Sequence, residues 1–169
     1  MVREYIKYTW GTTDIGEPTK IIGIEITLGE NSISISQHNY ITDILWQEHV
    51  LAANSVGTSL DINIQLEPNP DGTNSNRSNS FAHLLGELQW VANATRPDIA
   101  YAINKLATYT ANPTLQHVTT LKRILRYLSR TKNFGITYQI NTNNDYSISN
   151  TANLFFSYAD AAYSNADKL

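Results

Sequence analysis

The feature that most constrains this chain is a change of hydrophobic period along its length. Between residues 22 and 36 apolar side chains alternate with small or polar ones. Ile22, Ile24 and Ile26 are spaced by Gly23 and Glu25. After Leu28-Gly29-Glu30-Asn31, Ile33 and Ile35 are spaced by Ser32, Ser34 and Ser36. A period of two places one set of side chains on each face of a strand. Two such runs around a Gly-containing turn predict a β-hairpin with one buried face. From residue 37 the period lengthens, and Ile41, Ile44, Leu45 and Leu51 suit a helix of about 12–15 residues with Ser36 as its candidate N-cap. Leu60, Ile62, Ile64 and Leu66 alternate again and read as extended chain. Residues 1–20 carry no clear period, and 11–18 read as loop.

Residues 67–80 contain no apolar side chain but two prolines, a glycine and four asparagines, which marks a linker. Three helical stripes follow. The first is Phe81, Leu84, Leu85, Leu88 and Val91, ending near Asn93 or Ala94 because Arg96 precedes Pro97 and that position disfavours helix. The second begins with Pro97 at its first position and carries Ile99, Ala102, Ile103, Leu106 and Tyr109. The third follows Asn112-Pro113 and carries Val118, Leu121, Ile124, Leu125 and Leu128. Residues 134–138 read as a strand, 141–153 as polar loop, and 154–158 as a second short strand ending at Ala159-Asp160. The expected fold is α+β: a β-hairpin, then a helical bundle, then one or two C-terminal strands.

The composition narrows the chemistry. The chain has 169 residues and is 41% hydrophobic, so it can bury a core. It has no cysteine, which excludes a disulfide scaffold, a thiolate zinc site and a cysteine nucleophile. Its apolar runs fall far short of the ~20 residues a spanning helix needs, so no membrane partner is expected. The N-terminus has no export signal, and an intracellular location is the expectation. His38, His49, His83 and His117 make no short metal-ligand spacing with one another. No phosphate-binding glycine loop and no nucleophile elbow occurs. Asp160, directly after a hydrophobic run, is the one acid placed like a catalytic or metal-binding group. Two-metal phosphoryl chemistry needs several carboxylates around ions ~4 Å apart, and the only acid after Asp160 is Asp167.

The net charge of −3 hides a block structure. Residues 96–132 hold Arg96, Lys105, Lys122, Arg123, Arg126, Arg130 and Lys132 against the single acid Asp98, a local charge of +6 with −9 elsewhere. On a wheel of 100° per residue, Lys122, Arg126, Arg130 and Arg123 span about 100° nearly opposite the leucine stripe of the third helix. Such a stripe can follow phosphates. The plainer reading is a solvated helix face, though such faces usually mix both signs at i±4.

Several ordered blocks resemble the Pol polyprotein of copia-type LTR retrotransposons. Thr13-Asp14-Ile15-Gly16-Glu17-Pro18 with Ile21-Ile22-Gly23-Ile24-Glu25-Ile26 is similar to the family's "DLG…LGIEI" segment. Ile33-Ser34-Ile35-Ser36-Gln37-His38-Asn39-Tyr40 resembles "I-x-L-S-Q-x-x-Y". Leu85-Gly86-Glu87-Leu88-Gln89-Trp90 with Thr95-Arg96-Pro97-Asp98-Ile99 resembles "IGSLMYL…TRPDI". Pro113, His117 and Lys122-Arg123-Ile124-Leu125-Arg126-Tyr127-Leu128 resemble "P-x-x-x-H…KRILRYLKGT". Tyr158-Ala159-Asp160-Ala161 resembles "GY-x-DADWAG".

The resemblance implies a place between two active sites. Residues 1–66 would be the end of the reverse transcriptase palm with its primer-grip hairpin and the first thumb helix. Residues 67–80 would be a polar linker, 81–132 a thumb-like helical region, and 133–169 a connection and the first strand of an incomplete RNase H domain. The implied partners are an RNA–DNA hybrid or DNA template–primer, with the missing palm and RNase H portions of the polyprotein. Asp160 would be the first RNase H acid. The full-length enzyme would use Mg2+, with no cofactor in this chain, and the family works in cytoplasmic particles or the nucleus. The family's Tyr-x-Asp-Asp segment does not occur here. Asp160-Ala161-Ala162-Tyr163-Ser164-Asn165 lacks the second Asp and the Trp of "DADWAG", and Arg130 stands where the family has Gly. No polymerase or nuclease activity is therefore expected of this chain alone. Two other readings compete: a host-retained module that binds nucleic acid or protein without catalysis, and an independent hydrolase built on Asp160.

Overall fold

A computed structural model of the chain describes residues 2–13, 16–61, 63–69 and 78–139. The order is helix α1 (Val2–Trp10), strands β1 (Lys20–Ile21), β2 (Ile24–Gly29) and β3 (Ser32–Ser36), then helices α2 (His38–Gln47) and α3 (Ser78–Ala94). A 3-10 turn (Pro97–Ile99), α4 (Ala100–Ala107), α5 (Leu115–Thr131) and β4 (Gly135–Gln139) complete it. The fold is α+β, with a four-stranded antiparallel sheet ordered β1-β2-β3-β4.

The hairpin forms with Ile26 opposite Ile35 and Leu28 opposite Ile33. Its first strand starts two residues later than the alternation suggests. Ile22 and Gly23 both have positive φ, 50° and 80°, so they form the two-residue turn between β1 and β2, as the register Ile21 opposite Ile24 requires. Ile22 is therefore 80% exposed and belongs to no strand. β4 joins on the far side of β3, with Ile35 opposite Ile136 and Ile33 opposite Tyr138. Its first residue must be small, because a Cβ on Gly135 would run into the Ile35 carbonyl.

Directly paired residues share a face. The sheet thus has one aliphatic face, through Ile26, Ile35, Ile136, Leu28, Ile33 and Tyr138, and one polar face, where Ser34 Oγ lies 2.9 Å from Thr137 Oγ1. The aliphatic face is only half-buried among the described residues, not buried as the alternation suggests. Helix α2 is tied to the sheet where the Glu25 carboxylate accepts the backbone N–H groups of His38 (2.9 Å) and Asn39 (3.1 Å). Those are the free donors of the first turn of α2, so Glu25 is the cap. Ser36, the expected cap, instead donates its hydroxyl to Glu25 at 2.9 Å.

The core lies in the helices. Ile41, Ile44 and Leu45 of α2 pack with the α3 stripe Phe81, Leu84, Leu85, Leu88 and Val91, with Ile99 of the 3-10 turn, and with Ala102, Ile103 and Leu106 of α4. Leu121, Ile124, Leu125 and Leu128 of α5 close the cluster. Each of the Leu, Ile, Val and Phe side chains contributes about 1.5–3 kcal/mol on full burial. Helix α2 is shorter than expected and leaves Leu51 out, because His49 turns the chain at φ 55°. Leu66 is buried and Leu60 and Ile64 pack against the core, but 63–69 form no strand. Helix α1 lies where the sequence has no clear period, and Tyr5, Tyr8 and Trp10 on it are exposed. The expected strand 154–158 and Asp160 lie outside the described residues.

Candidate nucleic-acid interface

Helix α5 carries the cationic stripe, and its start is fixed locally. Thr114 is the N-cap, and His117 completes a capping box. The Thr114 N–H donates to His117 Nδ1 at 2.9 Å, and the His117 N–H donates to Thr114 Oγ1. The imidazole is fully buried and stacks on Tyr109 at 4.1 Å between ring centres. Burial pushes its pKa below the ordinary histidine value. The leucine side of α5 then faces the core, which turns the opposite side outward.

The seven cations singled out by sequence end in different places. Lys122 and Arg130 are exposed, and Lys132 is partly so. Lys122 also lines a groove with Glu48, Phe81, Leu84, Val118 and Leu121. Lys105 is on α4, with its ammonium 5.9 Å from the centre of the Tyr101 ring. Arg123 and Arg126 are partly buried, because the segment 54–61 lies along them. Arg126 Nε donates to the Asn54 carbonyl (2.5 Å) and Arg123 Nη2 to Thr58 Oγ1 (3.0 Å). Asp61 stands 4.0 Å from Arg123 Nη1. These acceptors lie 65 and 72 residues upstream, and no sequence pattern marks them.

Arg96 departs most from the expected surface. It is 1% exposed and cannot meet a phosphate. Its Nε and Nη2 donate to the two Asp98 carboxylate oxygens at 2.9 and 2.7 Å. Nη1 donates to the Thr131 carbonyl at 2.8 Å, and Nη2 also donates to Thr131 Oγ1 at 2.7 Å. The guanidinium lies 5.7 Å from the Tyr127 ring centre and 5.6 Å from that of Phe134. Tyr127 donates its hydroxyl to Asp98 at 2.7 Å. Partial burial acts to raise the Asp98 pKa, but the Arg96 and Tyr127 hydrogen bonds and the Arg96 charge outweigh it and hold the carboxyl below its usual range. The cluster fastens the α3–α4 turn to the end of α5.

Among the described residues no group of three His, Asp or Glu side chains could hold a metal ion. The described residues therefore do not fit the Mg2+ implied by the resemblance, and Asp160 lies outside them. No described helix is long and apolar enough to cross a membrane.

The site defines a class: an α+β chain in which a helix packed by its leucines carries cations on the opposite side. Comparison with known proteins makes it more specific. The chain is 37% identical over 120 residues to a retrovirus-related Pol polyprotein from transposon RE1 of Arabidopsis thaliana, covering 68% of this chain and 8% of that protein. It is 36% identical over 115 residues to the Pol polyprotein from transposon RE2 of the same plant, again 68% and 8%. An uncharacterised mitochondrial protein of Arabidopsis thaliana is 30% identical over 128 residues, 76% of this chain and 52% of that protein. No protein-family model matches the chain, and no solved structure matches it. The chain is similar to a stretch of the retrovirus-related Pol polyproteins of transposons, and it spans 8% of the length of the first two relatives.

Proposed function

We propose that this chain is a stretch of a copia-type Pol polyprotein that runs from the end of the reverse transcriptase into the start of RNase H. It contributes contact with an RNA–DNA hybrid or DNA template–primer, not catalysis. The observation that carries this reading is the cation-bearing side of α5, with Lys122 and Arg130 exposed opposite the buried leucines. Phosphates spaced along a duplex suit such a row, and each one neutralised releases counterions. The Mg2+-dependent steps belong to other parts of the polyprotein, and a cytoplasmic particle or nuclear setting follows from the same reading.

The test is fluorescence-anisotropy binding of an 18-base-pair RNA–DNA hybrid by the full chain over a series of salt concentrations. Changing Lys122→Glu with Arg130→Glu touches two exposed side chains and removes two phosphate contacts. The slope of log affinity against log salt should flatten by about 1.8. An unchanged slope and affinity would take this side of α5 out of the binding surface.

A further inference from the structure

The stripe does not stand free. Its two middle cations are occupied by the protein's own chain. Arg126 is held by the Asn54 carbonyl, and Arg123 by the Thr58 hydroxyl with Asp61 nearby. The contacts are all oxygen acceptors, and one comes with a carboxylate, so they offer the arginines what a phosphate backbone would offer. They also leave Arg123 incompletely served. Its Nε is buried with no hydrogen-bond partner among the described residues, and its distance to Asp61 is at the limit of an ion pair. A guanidinium with unused donors gains by exchanging such partners for a phosphate, which accepts two parallel bonds.

The segment has no regular secondary structure and few contacts that hold it. It begins after the turn at His49 and is anchored to the core by Leu60, while Val56 is half-buried. Among the described residues its polar contacts with the helices are the bonds to Arg126 and Arg123, the 4.0 Å approach of Asp61 to Arg123 and a long 3.4 Å bond from Ser59 Oγ to the Asp98 carbonyl.

We propose that residues 54–61 form an intramolecular latch on α5, which competes with nucleic acid for Arg123 and Arg126 and is displaced when the duplex binds. This rests on the nucleic-acid reading above. It adds a regulatory element to that site: the closed latch leaves Lys122 and Arg130 to make first contact, and release supplies two further cations.

The test uses the full chain and the same hybrid. Thr58→Ala removes one acceptor without changing charge, and one net hydrogen bond predicts affinity tighter by about threefold to tenfold. Asp61→Asn should act in the same direction. Glu30→Gln, in the β2–β3 turn, matches its charge change and should leave affinity as it was. The wild-type salt slope should be near −3.6 if displacing the latch adds Arg123 and Arg126 to Lys122 and Arg130, against about −1.8 if only Lys122 and Arg130 engage. Hydrogen exchange at the 54–61 amides should quicken when the hybrid is added. Binding with a slope near −1.8, unaltered by Thr58→Ala, would overturn the latch and leave the binding reading intact. Absence of binding by the wild type and both latch variants would overturn both.

Discussion

Replacing Arg96 with methionine keeps most of the side-chain volume and removes the guanidinium. The loss can be followed group by group. Asp98 loses two hydrogen bonds and its counter-charge and keeps the Tyr127 hydroxyl; the Thr131 carbonyl loses its Nη1 donor and the Thr131 hydroxyl its Nη2 donor. Breaking a fully buried pair costs about 3–5 kcal/mol. The Asp98 side chain is 35% exposed, so water can replace part of what it loses. That places Arg96→Met near the lower end, at about 3 kcal/mol, a large share of the 5–15 kcal/mol that holds a domain together. Arg96→Lys should lie between, at about 1–2 kcal/mol, because one ammonium cannot serve two carboxylate oxygens and a carbonyl in a fixed plane. Urea unfolding at pH 7 measures both. The double-mutant cycle with Asp98→Asn separates the pair from the Thr131 bonds. Asp98 has a lowered pKa in the folded state, so the stability it supplies is present above its unfolded value of about 3.9 and is lost as pH falls through the folded value. Arg96→Met should remove most of that acid-sensitive part. An unfolding free energy within 0.5 kcal/mol of wild type would refute the account of Arg96 as an internal fastener.

Two further outcomes follow from caps made by side chains. Glu25→Ala strips the acceptors from the start of α2 and should cost about 1 kcal/mol in thermal or urea unfolding, within the range for lost N-caps; an unchanged stability would mean that water serves those N–H groups equally well. Burial lowers the His117 pKa, so the unfolded chain binds the proton more readily. Stability should therefore be full above about pH 6.5 and fall as pH drops from there through the folded value, since protonated Nδ1 cannot accept the Thr114 N–H. His117→Gln should lose this pH dependence, and a slope retained in that variant would assign it elsewhere.

What could be read from sequence was what is written locally. A helix stripe is set by residues three and four apart, so Phe81, Leu84, Leu85, Leu88 and Val91 could be named, and all five are buried. The stop before Arg96-Pro97 and the start at Thr114 depend on neighbours one to three residues away. The features not legible depend on distant partners. Glu25 caps a helix that begins 13 residues later, and β4 pairs with a strand about 100 residues upstream. Ile22 follows the strand period, yet the turn with Gly23 takes it. Arg96 counts as a surface charge in any composition, and its burial depends on Thr131, 35 residues further on.

The same dependence alters what the charge block means. Seven cations against one acid suggest a strongly positive surface, but a cation counts toward that surface only if its donors are free. Arg96 is spent inside the fold. Arg123 and Arg126 join α5 to a segment more than 60 residues earlier. Reversing either arginine would therefore loosen that junction as well as remove a phosphate contact, and a drop in affinity would not tell the two apart. Among the described residues Lys122 and Arg130 make no such bond, so a change there reports on phosphate contact. The paired comparison is informative for a physical reason: exposed cations act through counterion release, and latched ones act only after an internal bond has been broken.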